Sequence, residues 1–298
     1  MANADKFESL NGFPRETITL ANWRTRPYSF WSFRNVAEMV RSARIRTATP
    51  GPLPAAVGNP ELLARPAAPG AGHSISDLLT RSQADSLLVS KNGKIICEWH
   101  ADNIDRSDPH LVFSISKSIT ALVAGILQDR GQLDPETPVG DLVPEARNSA
   151  YADATVQHLL DMRVSLDFDE SYLSEEDYAR YRRAMSWNPP SGDGNDEAML
   201  PFLCSLRKAA GPHGTDHCYL SPNSDMLGIV LERVSGERFP DLCSRLLWQP
   251  LGTSSDAFIT VDTQGAPRTA GGVSCRPHDL LAAVSYTHLR AHETRHDL

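Results

Sequence analysis

Ser114-Ile115-Ser116-Lys117 sets a hydroxyl and an amine three residues apart. On a helix, residues i and i+3 share a face, so the two groups can meet in one cleft. A serine hydroxyl attacks an acyl carbon well only when a neighbour takes its proton. A lysine can take that proton only if it first sheds its charge. The position favours this. A lysine in the first helical turn faces the positive end of the helix dipole, at a cost of roughly 0.3–1 kcal/mol to its charged form. Burial pushes the same way, and the same helix end suits a developing oxyanion.

The pattern alone does not decide, since about one chance match is expected in a chain of this size. A second match, Ser205-Leu206-Arg207-Lys208, lies just before AAGPHG. It reads as a lysine near a helix C-terminus, where the dipole favours a cation. Context singles out the first copy. Ile119, Leu122, Val123, Ile126 and Leu127 recur at helical spacing behind it, and Gly131 marks the stop.

The elements that must position this helix follow from the surrounding pattern. SLLVS and IICEWH flank Lys91-Asn92-Gly93-Lys94 as two strands around an Asn-Gly turn. TVQHLLDM opens a helix with Thr155 as N-cap. SPNSDMLGIVLERVSG is read with Ser221 as N-cap, Pro222 at the first helical position and Gly236 past the end. FPDLCSRLLWQPLG is a further helix, and DAFITVD around Ile259 a strand. Two strands, many helices, then one strand predict an α/β sheet with a large helical insertion over about 132–250. Residues 1–72 are expected to form an N-terminal wrap and linker without chemistry of their own, including an amphipathic helix through Val36, Met39 and Val40.

Several of these segments resemble the β-lactamase-like serine hydrolases, which include class C β-lactamases, penicillin-binding proteins and related esterases. FSISKSITALVAGILQDRGQLDPETPVGDLVPE is similar to the nucleophile helix and following turn, TVQHLLDMRVSLDFDE to the next helix, YLSPNSDMLGIVLERVSG to the Tyr-containing motif, and AGGVSCRPHDL to a late segment. The resemblance runs from about 85 to 284 in the family's order. It implies an αβα sandwich with a helical subdomain, Ser114 as nucleophile, Lys117 as base and Tyr219 as the proton relay to the leaving group. Ser221 then stands where the family usually has Asn, and Met162 and Ser165 where it usually has His and a small residue. A hydroxyl cannot present an amide. That departure is similar to the 6-aminohexanoate-dimer hydrolase branch, which implies cleavage of short linear amides or esters, with β-lactamase or DD-peptidase activity as the alternative and a non-catalytic ligand-binding relative as another. Tyr172 is a candidate substrate contact, a surface tyrosine being the plainer reading. Glu175, Glu176 and Asp177 fit a solvated helix start.

The resemblance also implies a third motif, K-[ST]-G or H-x-G, on a late strand. No such motif follows Tyr219, and Lys91-Asn92-Gly93 lies upstream, in a hairpin turn. Residues 285–298, SYTHLRAHETRHDL, read as a non-native tail of the kind adapter read-through produces. The hydrolase domain, 73–284, is therefore expected to lack its late sheet strands and, as a fragment, to be unstable and inactive. His288, His292 and His296 share a helical face, which suggests metal ligation only weakly.

Composition bounds the rest. A chain of 298 residues with 41% hydrophobic and 22% charged residues is ordinary for a globular protein. The formal net charge of −8, without a basic run, argues against nucleic acid as a partner. The five cysteines are scattered, so no disulfide framework, zinc site or other metal is expected, nor any cofactor. No leader-like or membrane-spanning stretch is read, which makes a cytoplasmic enzyme with a small-molecule amide or ester substrate the expectation. Nothing in the sequence signals an oligomeric state.

Overall fold

The structure is a computed structural model that describes residues 2–171, 176–192, 194 and 196–286. Its main sheet has four antiparallel strands in the order β1-β7-β8-β4. These are β1 (Ser42–Ile45), β4 (His110–Leu111), β7 (Ala257–Thr260) and β8 (Val273–Cys275). The expected hairpin is present as β2 (Ser86–Lys91) and β3 (Lys94–His100). Asn92 and Gly93 both take positive φ, as a two-residue turn matched to strand twist requires. This hairpin forms a two-stranded sheet of its own and does not pair with the strand around Ile259.

That strand pairs instead with β1, Ala43 opposite Ile259 and Ile45 opposite Ala257. The amphipathic helix expected through Val36, Met39 and Val40 is thereby corrected. The chain makes one 3-10 turn at Val36–Glu38 and then runs into β1. Val36 and Val40 are buried, and so is Ile45. A single turn followed by a strand meets the same burial demand as a helix, and pairing with β7 decides between them. The N-terminal segment is thus part of the main sheet. Trp23 and Trp31 lie in the core, and the Trp23 indole N–H donates to the Trp187 carbonyl at 3.0 Å.

Between β4 and β7 the chain is mostly helical, with a minor two-stranded sheet, β5 (Leu166–Asp167) and β6 (Arg207–Lys208). Two helices from this sequence pattern hold the site. The Ile115–Asp129 helix buries Ile119, Val123, Ala124 and Leu127, with Gly131 in the left-handed region just beyond its end. The Ser221–Ser235 helix is buried from Ser221 to Leu231 and ends at Gly236, also left-handed. Its N-cap is Leu220, which makes Ser221 the first helical residue and Pro222 the second, one step from the expected register. Without a side-chain cap, the Ser221 hydroxyl is left for other partners. Gly228 lets this helix approach the 268–272 loop, because a Cβ there would sit 2.5 Å from Thr269 Oγ1.

Thr155 caps its helix as expected, accepting from the His158 N–H at 3.3 Å. The second Ser-x-x-Lys pattern is corrected in detail. Its helix ends at Ser205, and Lys208 lies on β6, ion-paired with Asp153 at 2.8 Å. All five cysteines are unpaired, and no described helix is long and apolar enough to cross a membrane.

Candidate active site

Ser114 sits at the N-cap of its helix, yet its side chain makes no capping bond. A serine at this position ordinarily accepts from the N–H two or three residues on. Here the Ser116 N–H goes to the Phe113 carbonyl at 2.8 Å, and the Lys117 N–H to the Ser114 carbonyl at 3.1 Å. The turn that permits this puts Phe113 at φ +44°, a conformation that costs a non-glycine residue about 1–3 kcal/mol. Surrounding packing holds the turn. The Val112 N–H donates to the Val273 carbonyl at 2.8 Å, and the Val273 N–H to Ser116 Oγ at 3.0 Å. The Phe113 ring packs edge-on against Phe33 and Trp187.

The freed hydroxyl meets Lys117. Nζ of Lys117 is 3.2 Å from Ser114 Oγ, 3.0 Å from Ser221 Oγ and 2.8 Å from the Ala270 carbonyl oxygen. The Tyr219 ring lies beside it, with Nζ 4.9 Å from the ring centroid. Burial, and next the positive charge of Arg268, hold the Lys117 pKa below its ordinary value. The Tyr219 phenol and Asp225 act in the opposite direction without cancelling the shift.

Glu170 was not among the residues singled out from the sequence, and it sets the direction of the bonds. The Ser221 hydroxyl donates to Glu170 Oε1 at 2.5 Å, and the Ser221 backbone N–H donates to Oε2. With its proton committed to Glu170, the Ser221 oxygen can only accept from Lys117. The Ala270 carbonyl can likewise only accept. A neutral amine has two N–H groups and one lone pair. If the two N–H groups serve Ser221 and Ala270, the lone pair is left for the Ser114 hydroxyl.

A buried polar network anchors the loop that supplies Ala270. Asp225 is fully buried and Arg268 nearly so, and the two form a short ion pair. Asp225 also accepts from the Tyr181 hydroxyl and, at 2.7 Å, from the Ala270 N–H. Burial alone would lower the Arg268 pKa, but Asp225 and Tyr181 outweigh it and hold the guanidinium firmly charged. Burial also pushes the Tyr181 phenol well above its usual range. Sequence reasoning missed this network because its members, 44 and 43 positions apart, have no common local pattern.

The residues open onto a cavity of about 460 Å³ lined by Ser114, Ser221 and Ala270 and walled by Phe33, Phe113 and Trp187. Ala21, Arg24 and Thr25 of the N-terminal segment also line it, which corrects the expectation that this segment has no place near the chemistry. The structure therefore brings Ser114, Lys117, Tyr219 and Ser221 together. Tyr172, Glu175 and the histidines 288, 292 and 296 lie outside the described residues. Asp177, as expected, begins a helix, Asp177–Ala184. Among the described residues no group of three or more His, Cys, Asp or Glu side chains is arranged to hold a metal ion.

A family model described as Beta-lactamase matches residues 73–294. The chain belongs to the beta-lactamase family. It is 32% identical over 266 residues to the 6-aminohexanoate-dimer hydrolase of Paenarthrobacter ureafaciens, an alignment that takes in 88% of this chain and 65% of that protein. The chain thus spans just under two thirds of the length of that relative. Among solved structures, it is similar to a Bacillus anthracis protein assigned as a 6-aminohexanoate-dimer hydrolase, with a TM-score of 0.83 at 20% identity, covering 92% of this chain and 72% of the other. A class C beta-lactamase matches with a TM-score of 0.53 at 18% identity, over 71% of this chain and 61% of that one. At such identities these structures establish the fold, which is β-lactamase-like.

Proposed function

We propose that the chain is the nucleophile-bearing part of a serine hydrolase that cleaves short linear amides or esters through an acyl-enzyme on Ser114. The observation that carries this reading is the position of Lys117 Nζ, 3.2 Å from Ser114 Oγ, with acceptors for both of its remaining N–H groups. In the first step the Ser114 hydroxyl proton passes to the Lys117 lone pair as Oγ bonds to the acyl carbon. The Ser114 backbone N–H, which no described group accepts, is one donor for the resulting oxyanion. Collapse breaks the bond to the leaving nitrogen or oxygen, which takes a proton from Lys117 by way of Tyr219. Water then attacks the acyl-enzyme, giving its proton to the same lysine, and Ser114 is regenerated.

The similarity to the Paenarthrobacter enzyme favours a linear amide as substrate, and the hydroxyl of Ser221 in place of an amide disfavours the β-lactam alternative. Labelling of a version extended to the full length of its relatives with a fluorophosphonate, followed by mass spectrometry of the modified peptide, tests the reading. The adduct is expected on Ser114. An adduct on another serine, or none while the Lys117–Ser114 geometry is intact, would refute it. Hydrolysis rates on aminohexanoate oligomers, p-nitrophenyl esters and a cephalosporin then rank the substrate classes.

The hydrogen-bond directions give a further expectation. Glu170→Gln allows the amide N–H₂ to point at Ser221, so the Ser221 hydroxyl is released to donate to Lys117 and compete with Ser114 for the lone pair. Acylation is expected to slow about 10- to 100-fold, a share of a general-base contribution of about 10²–10⁴. A pre-steady-state burst measurement reads this. An unchanged acylation rate would remove Glu170 from the account.

A further inference from the structure

Tyr219 and Glu170 reach the site on two different segments, and one histidine joins those segments. Tyr219 follows the irregular stretch 209–218, which leaves β6. Glu170 follows β5, which is preceded by residues 162–165. The two segments run side by side. The Ala209 N–H donates to the Ser165 carbonyl at 3.3 Å, the Gly214 N–H to the Arg163 carbonyl at 2.9 Å and the Cys218 N–H to the Met162 carbonyl at 2.9 Å. The Ser165 N–H donates in the opposite direction, to Nδ1 of His213 at 2.9 Å. The His213 side chain is only 3% exposed, and its Nε2 lies 3.1 Å from Asp153 Oδ1.

These contacts settle where the ring carries its proton. A backbone N–H can only donate, so Nδ1 must hold a lone pair and Nε2 the hydrogen, which goes to Asp153. His158, in the helix Val156–Leu160, is fixed the same way, its Nδ1 accepting from the Thr155 N–H at 3.1 Å. The two rings lie 5.8 Å apart between centroids. A Cβ on Gly214 would sit 2.9 Å from His158 Nε2, so the segment packs this closely only with glycine there. The charged and titratable groups around His213 are His158, Arg163, which donates to the Gly214 carbonyl at 3.4 Å, and Asp153 with Lys208, themselves paired at 2.8 Å. A proton added to Nδ1 would abolish the Ser165 bond and set a cation beside Lys208 and His158. Burial, the largest influence, lowers the His213 pKa below its ordinary 6.5, and Lys208 and His158 act the same way. The bond to Asp153 opposes them without cancelling the shift.

We infer that His213 is a positioning residue for Tyr219: its neutral ring pins the 209–218 segment to residues 162–165 and so holds the phenol beside Lys117. This rests on the reading of Ser114 as nucleophile and Tyr219 as the relay to the leaving group. Acid breaks the pin. The pinned form is present above the His213 pKa and is lost as pH falls through it, below 6.5.

The pin itself can be measured on the chain as it stands. In long-range nitrogen–proton spectra of protein carrying isotope-labelled histidine, His213 is expected as the Nε2–H form at neutral pH, and the Ser165 amide is expected to resist exchange until acid removes its acceptor. An Nδ1–H form would overturn the pin. The link to chemistry is read in a version extended to the full length of its relatives. His213→Leu is expected to slow acylation by a linear amide about tenfold, a fraction of what a general acid supplies. A p-nitrophenyl ester, whose leaving group departs without a proton, should change little. His213→Asn offers an acceptor near the place of Nδ1 and should restore the amide rate, now without the acid limb, because an amide side chain does not titrate. An amide-to-ester ratio unmoved by His213→Leu, a His213→Asn no better than His213→Leu, or an acid limb that survives in His213→Asn would each overturn the role. Because the tautomer is read without turnover, failure of the pin is distinguishable from failure of Ser114 to take a fluorophosphonate.

Discussion

In a version extended to the full length of its relatives, Lys117→Met is expected to lower kcat/KM on any acyl substrate by about 10³-fold or more, while leaving the chain folded. Methionine keeps the length and packing of the stem and removes the nitrogen. Without it, no described base lies within reach of the Ser114 hydroxyl. The residual rate reflects binding and oxyanion contacts alone, as in other nucleophile–base pairs whose members act as a unit. Ser114→Ala should cost about as much, and the double variant little more than either. Additive losses would show that the two residues do not work together. Lys117→Arg should fail as badly as methionine, since a guanidinium does not give up its proton.

The pH profile carries the same argument with a definite sign. A lysine acting as the base of Ser114 must be neutral, so activity is expected to rise with pH and to level off above the Lys117 pKa. Burial, reinforced by Arg268, places that pKa below the ordinary 10.5. The rising limb of kcat/KM should therefore have its midpoint below that of a free lysine and should disappear from the residual rate of Lys117→Met. A rising limb that persists in the variant would assign the titration to another group.

The second large effect is on stability. Asp225→Ala is expected to destabilise the chain by about 3–5 kcal/mol, the usual consequence of leaving a buried charge without its partner. Arg268 would remain charged in a site where only 4% of its side chain is exposed. The Tyr181 hydroxyl and the Ala270 N–H would lose their acceptor as well. Urea unfolding measures the loss. Combining Asp225→Ala with Arg268→Met should recover part of it, because the uncompensated charge goes too, and a double-mutant cycle isolates that coupling. If the single change costs under about 1 kcal/mol, the ion pair is not the anchor described above. The same substitution should also slow acylation, because the loop carrying the Ala270 carbonyl is what holds one N–H of Lys117.

The parts of this protein legible in its sequence are those written in local pattern. The Asn92-Gly93 turn and the Thr155 cap each follow from a few adjacent residues, as does the end of a helix at Gly131 or Gly236. The meeting of Ser114 with Lys117 is local too, being one helical turn. Tyr219 and Ser221 were reached by resemblance, since no spacing rule joins them to residue 117. What stayed hidden depends on tertiary placement. Glu170 is one acid among 37 aspartates and glutamates until the fold sets it against Ser221. Asp225 reads as an ordinary helix residue until Arg268 arrives from a distant loop. The strand at Ser42–Ile45 is too short to announce itself, and its pairing with β7 alone fixes it as one.

That early strand, and the arginine and aromatic residues ahead of it, lie before the stretch matched by the family model. A version trimmed to residues 73–294 would forfeit an outer strand of the main sheet and one wall of the cavity in front of Ser114 together. The start of the family model's match and the edge of the main sheet therefore fall in different places, while the 266-residue alignment to the Paenarthrobacter enzyme reaches back into the leading segment. Exchange of the leading seventy residues between relatives is therefore expected to change which molecules the cavity accepts while leaving Ser114 and Lys117 in place.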